Sequence, residues 1–393
     1  MWKKTDMRLA RGIAGVLTWA ALLVATPLAT FAADDSDPRA QFDGIMQGLN
    51  DNSFVRFNKA IDEPVLTQRI MGGRLIDGNV KQSFSRDFDG SINGMFTSSF
   101  PESKSDILAT VVSFQMQGNH GHAVVRFAAS GYRYSYHVYE LVLDSKGRLS
   151  IVDWIDYYQG GRFSDQAGAA MVMAMPSKPA TRHLLENSAL PDRDAFQVGE
   201  LLKAFRDNNV PRLFQIYDEL EPELQRSGVI ARLYLEKALQ ARDRARMESA
   251  VENLLAVFQN DSLQSLKLVE FYIPTRRYKE AINALALLET ELGVSDGAIG
   301  SLKAMAALAD GNMNDAETYA RQATEVEPTL ELTWWSLLRV RARAGDYAGA
   351  IAAMTRLEDD FGETLDAQKL GRDRFLKILV EQPEYLAWRS SRD

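Results

Sequence analysis

His137 is the residue on which enzyme chemistry would turn. It lies in an alternating stretch with Tyr134 and Tyr136 that reads as a strand, and Asp153 and Asp156 fall on the strand expected to pair with it. A histidine beside a carboxylate can take up and return a proton near neutral pH, as isomerases and dehydratases require. Asp153 and Asp156 are three residues apart, so on a strand they point to opposite faces and at most one can meet His137. Alternating tyrosines are also ordinary strand formers. Tyr134, Tyr136, His137 and Asp153 are therefore read first as structure and second as a ligand pocket.

Two other constellations resemble metal sites. His120-Gly121-His122 spaces two imidazoles suitably, but in an expected hairpin turn without a third ligand. Ser85 to Phe96 has Gly90 and Ile92 where a calcium loop would, yet it starts on serine and ends on phenylalanine, so most of the binding charge is missing. No phosphate-binding glycine loop, zinc-protease helix or nucleophile elbow is present. No metal, cofactor or catalytic residue is expected, and the chain is not read as an enzyme.

The chain ends and the composition narrow the class. Lys3, Lys4, Arg8 and Arg11 precede an uncharged run from Gly12 to Ala33 that ends in Thr30-Phe31-Ala32. This pattern predicts a signal peptide over residues 1–32, cleaved after Ala32. An uncleaved N-terminal anchor is the alternative. Pro27 and the polar Asp34-Asp35-Ser36-Asp37-Pro38 favour cleavage, and no later segment is apolar for long enough to span a bilayer. The 393 residues include no cysteine, which excludes disulfides, thiolate metal sites and a cysteine nucleophile and suits a bacterial periplasm. Net charge is −8, and −11 without the first 32 residues. Such an acidic product is not expected to bind nucleic acid or, after cleavage, a membrane.

Periodicity divides the rest into two domains joined by a linker. In the first, residues 39–175, Phe42, Ile45, Met46 and Leu49 share one helix face, and Phe54, Phe57 and Ile61 another. Short helices are expected over Val65–Met71 and, with interruptions at Gly90 and Gly94, Asn79–Phe96. The pattern then alternates, predicting strands over Ile107–Gln117, His122–Ala129, Tyr132–Leu143 and Arg148–Tyr158. Helices followed by a four-stranded antiparallel sheet make an α+β domain. Its outline resembles the nuclear-transport-factor-like, or cystatin-like, roll. Ser164 to Met175 reads as a further helix, and residues 176–192 as the linker.

Residues 193–393 read as an all-α region with an internal repeat. Gly345-Asp346-Tyr347-Ala348-Gly349-Ala350 has a counterpart 34 residues earlier in Gly311-Asn312-Met313-Asn314-Asp315-Ala316. Arg277-Tyr278-Lys279-Glu280-Ala281 and, more weakly, Arg246-Met247-Glu248-Ser249-Ala250 continue the series, with Asn208-Asn209 as a degenerate fifth turn. With Trp334, Leu337, Ala320, Ala323 and Pro328, these residues are similar to the tetratricopeptide repeat (TPR) family. The resemblance implies a superhelical solenoid of helix pairs, closed by a helix over Leu365–Val380 and by Tyr385-Leu386-Ala387-Trp388. It also implies a groove lined by the first helix of each pair. The register assigns Trp335, Arg339, Arg343, Met305, Leu308, Leu266, Glu270, Arg232, Leu235 and Arg242 to that groove. An exposed tryptophan beside two arginines would suit a peptide. The expectation is an exported periplasmic adaptor or scaffold that binds a protein or peptide, another component of the cell envelope. The alternative is an exported ligand-binding protein or enzyme that uses the roll pocket, with the repeats serving oligomerisation.

Overall fold

The computed structural model describes residues 37–98, 108–129, 133–258 and 262–392. The expected signal peptide, residues 1–32, lies outside the described residues. In the N-terminal half α1 (Pro38–Asn50) begins where the Asp37 carboxylate accepts from the Arg39 N–H and Pro38 fills the first turn. It turns Phe42, Ile45, Met46 and Leu49 inward. Then come α2 (Val55–Ala60), α3 (Glu63–Met71), α4 (Gly78–Arg86) and α5 (Phe88–Ser98). The break between α4 and α5 falls at Asp87, whose side chain accepts from the Gly90 N–H.

Five antiparallel strands follow in chain order: β1 (Leu108–Gln117), β2 (His120–Ala129), β3 (Arg133–Leu143), β4 (Leu149–Asp156) and the short β5 (Gly161–Arg162). The fifth strand corrects the expected four. The β1–β2 turn is Gly118-Asn119, with Gly118 at φ 61°, so His120 and Gly121 are strand residues rather than turn residues. A bulge in β4 skips Val152: Glu140 pairs with Asp153, but Leu141 pairs with Ile151. The chain continues through α6 (Phe163–Ala174) and α7 (Lys178–Leu184). The stretch expected as a linker thus holds a helix, and its Ala180 belongs to the N-terminal core.

The C-terminal half is all helical: α8 (Asp192–Arg206), α9 (Val210–Glu219), α10 (Pro222–Gln225), α11 (Gly228–Ala241), α12 (Arg244–Val257), α13 (Ser265–Tyr272), α14 (Tyr278–Leu292), α15 (Gly297–Asp310), α16 (Met313–Val326), α17 (Glu331–Ala344) and α18 (Tyr347–Phe361). Short turns make consecutive helices fold back on one another. Six of those turns carry a residue of positive φ; apart from Gly293 in the α14–α15 turn, they are Asn208, Arg242, Arg276, Gly311 and Gly345. Their spacings are 34, 34, 35 and 34 residues. In four of the five, the next residue caps the following helix with its side chain: Asn209, Asp243, Asn312 and Asp346. Five positions beyond each turn residue stand Leu213, Met247, Ala281, Ala316 and Ala350. The weak fourth copy is therefore registered on Met247 and not on Ala250.

The expected helix over Leu365–Val380 is not continuous. After α19 (Ala367–Gly371) the Asp373 side chain accepts from the Phe375 N–H and turns the chain. The chain closes with α20 (Pro383–Ser390).

Both faces of the sheet are covered. Side chains alternate along a strand, and one set (Ala123, Val125, Phe127, Tyr139, Leu141, Ile151 and Trp154) packs against α1, α2, α5 and α6. The other set includes Val124, Tyr136, Val138, Ile155 and Tyr157. It packs against Leu266 and Val269 of α13, Leu285, Leu288 and Leu292 of α14 and Ile299 of α15. The two halves therefore share a core.

Candidate functional site

His137 faces the first of these layers. It is fully buried among Phe96, Phe127, Tyr139 and Trp154, with the Phe127 ring centroid 4.6 Å away. Its Nδ1 lies 3.1 Å from the Tyr139 hydroxyl, and its Nε2 3.4 Å from Asp156, its register partner on β4. Asp156, not Asp153, is thus the carboxylate that meets His137. The Asp156 carboxylate also accepts from the Tyr158 and Gln159 N–H groups and so shapes the turn into β5. With 0% exposure and aromatic rings on every side, this imidazole is out of reach of a substrate in the observed arrangement.

Asp153 does different work. It accepts from the Ser164 hydroxyl at 2.7 Å and the Ser164 N–H at 3.2 Å, holding the first turn of α6. Arg69 and Arg162 approach it at 3.3 and 3.5 Å and both also pair with Glu140. Burial resists ionisation of Glu140, but the hydrogen bonds from the two arginines outweigh it and hold this carboxyl below its usual range. Among the described residues no group of three or more His, Asp and Glu side chains is arranged to hold a metal ion.

The most strongly organised polar cluster lies where the sheet meets the helices. Arg126 projects from β2 into the shared core and is 3% exposed. Its guanidinium donates at 2.7 Å to Asp296 and forks onto both oxygens of Glu327, also at 2.7 Å. Asp296 is the N-cap of α15 and accepts from the Ala298 and Ile299 N–H groups. The Tyr136 hydroxyl donates to it at 2.7 Å. Burial, and next the Asp296 charge, push the Tyr136 phenol well above its usual value. Arg126 stays protonated: burial acts against its charge, but Glu327 and Asp296 raise its affinity for the proton. A second polar contact joins the halves at Gly160 (φ 76°), whose carbonyl accepts from Arg232 and Gln264.

The residues assigned to a groove are distributed among several roles. Leu266 and Arg232 contact this protein's own N-terminal half. Leu235 and Leu308 are buried among helices. Tyr134, taken as a pocket residue, lies with Tyr136 on the face of the sheet that packs against α13, α14 and α15, opposite to His137.

Trp335 is 6% exposed rather than exposed as expected. It donates to Glu331, and Arg339 and Lys369 each lie 5.3 Å from its ring centroid. Arg339 is paired with Asp373 of the C-terminal segment, which folds back over this position. Arg242, Glu270 and Arg343 are exposed. Met305 is half-buried and lines a cleft of about 420 Å³ together with residues of α13, the α13–α14 turn and Arg374.

Arg126, Asp296 and Glu327 escaped the sequence reading. The signals were there: an arginine between Val125 and Phe127 in an apolar strand needs a partner, and Asp296 stands where a helix cap is expected. Fold and contacts define an α+β half with a five-stranded antiparallel sheet packed against an all-helical half. No family model matches the chain, and no curated protein is similar to it.

Proposed function

We propose that the protein is an exported adaptor of the bacterial periplasm whose helical half, a tetratricopeptide-like solenoid, holds a protein or peptide partner of the cell envelope. The observation that carries this reading is the regular recurrence of left-handed turns at Asn208, Arg242, Arg276, Gly311 and Gly345. Each helix pair in such an array buries its apolar stripe on its neighbours, which leaves an extended surface suited to binding rather than to catalysis. The N-terminal sheet covers part of that surface, so the partner is assigned to the remainder, around α13, α15 and α17. The filled aromatic interior around His137 gives the ligand-pocket alternative no support.

Site-specific photo-cross-linking in the native host tests this function. A photoreactive residue at Glu270 or Arg343 is expected to give discrete higher-mass adducts, whereas one at Arg148, on the β3–β4 hairpin, gives none. Identical patterns from all three positions, or no adduct from any, would remove the adaptor reading.

A further inference from the structure

We propose that the cleft between α13, α15 and the C-terminal segment takes an acidic–apolar peptide segment of the partner, with its apolar side chains inside and its carboxylates on Arg276 and Arg374. The inference rests on the adaptor reading and specifies what the adaptor recognises.

The cleft measures about 420 Å³, within the range of roughly 300–1,000 Å³ typical of ligand sites. Val269, Ile273, Leu302 and Met305 form its apolar wall. Ile273 is 39% exposed, although α13, which it follows, buries nearly all its residues. Ile273 thereby adds apolar surface to the wall of the cleft.

Two arginines, Arg276 and Arg374, line the cleft. Their neighbours are paired, Arg277 with Glu280 and Asp373 with Arg339. No carboxylate among the described residues lies within ion-pair distance of Arg276 or Arg374. Two uncompensated guanidiniums from distant parts of an acidic chain thus converge on one apolar cleft. Acidic side chains complement that field, and arginine beside an apolar pocket is a common anchor of binding energy.

Arg276 also sits at φ 62°, the position that Gly311 and Gly345 occupy in later copies of the turn. A left-handed conformation is unfavourable for a residue with a Cβ. Arg242 shares the conformation but does not line the cleft, which makes it the natural control.

The test is fluorescence anisotropy with the full chain at low salt and a fluorescein-labelled hexapeptide of alternating aspartate and leucine. Saturable binding is expected, weakened at least about tenfold by Arg276→Gly and by Arg374→Ala and unchanged by Arg242→Gly. Because Arg276→Gly relieves backbone strain, its melting temperature should hold or rise, so lost binding cannot reflect lost folding. Peptides with lysine for aspartate, or serine for leucine, should not bind. No binding of the aspartate–leucine peptide, equal binding of the lysine–leucine peptide, or wild-type binding by both cleft variants would overturn the assignment. If cross-links at Glu270 and Arg343 persist while these results fail, this site falls and the adaptor reading stands. Loss of both removes the two together.

Discussion

Arg126 shows how one charge can decide an interface. A guanidinium at 3% exposure has lost nearly all its water; Asp296 and Glu327 replace those contacts, and Tyr136 donates in turn to Asp296. Removing Asp296 leaves the buried Arg126 with Glu327 alone and takes the acceptor from the Tyr136 hydroxyl and from the first turn of α15. Asp296→Ala is therefore expected to cost about 3–5 kcal/mol, read as a lower urea midpoint. Adding Arg126→Met should recover part of that loss, and strictly additive effects would argue against a coupled cluster. Tyr136 makes the molecule sensitive to alkali. Its raised folded value means that an unfolded chain ionises first, so its contribution is complete below about pH 10 and declines as pH rises beyond that. Tyr139 is raised in the same direction by burial and then by the Asp156 charge. In an alkaline titration, part of the tyrosinate absorbance should appear only as the far-ultraviolet circular dichroism collapses. Complete tyrosine ionisation with the dichroism intact would contradict the buried environment.

At the scale of elements, each of the five turns uses one left-handed residue, followed in four of them by a side-chain helix cap. The last two copies place glycine in the left-handed position, at no steric cost; the second and third place arginine there. The left-handed conformation costs an L-residue about 1–2 kcal/mol, partly offset because glycine frees the unfolded chain. Arg242→Gly should thus stabilise by about 0.5–1 kcal/mol. Gly345→Ala should destabilise by a comparable amount, since Gly345 stands at φ 81° with open space where a Cβ would be. Thermal unfolding of the two variants measures both signs, and a stabilising Gly345→Ala would mean that the turn is misread.

For the whole molecule, the shared core predicts cooperative behaviour. Val124, Tyr136 and Tyr157 pack directly on Leu266, Leu285, Leu288 and Ile299. A single calorimetric transition is expected for the intact protein. Arg126→Ala combined with Asp296→Ala should broaden it or split it in two. Residues 193–392 expressed alone would expose the apolar surface that the sheet covers, and are expected to bind a hydrophobic dye and self-associate. A monomeric, dye-silent fragment would show that the two halves fold independently.

The amino-acid sequence alone determines what is local and periodic. Apolar spacing marks α1, alternation marks β3 and β4, and Gly311 and Gly345 announce their turns because only glycine enters that conformation freely. Where asparagine or arginine takes the same backbone position, the signal fades, and so the copy at Arg242 is misplaced by three residues. Tertiary structure decides what lies between elements. The Val152 bulge selects Asp156 as the partner of His137, and the C-terminal segment buries Trp335. The contact of Arg126 with Asp296 and Glu327 spans 170 and 201 residues of chain. Such contacts leave no periodic trace in the sequence, because what brings the side chains together is the packing of one apolar face onto another.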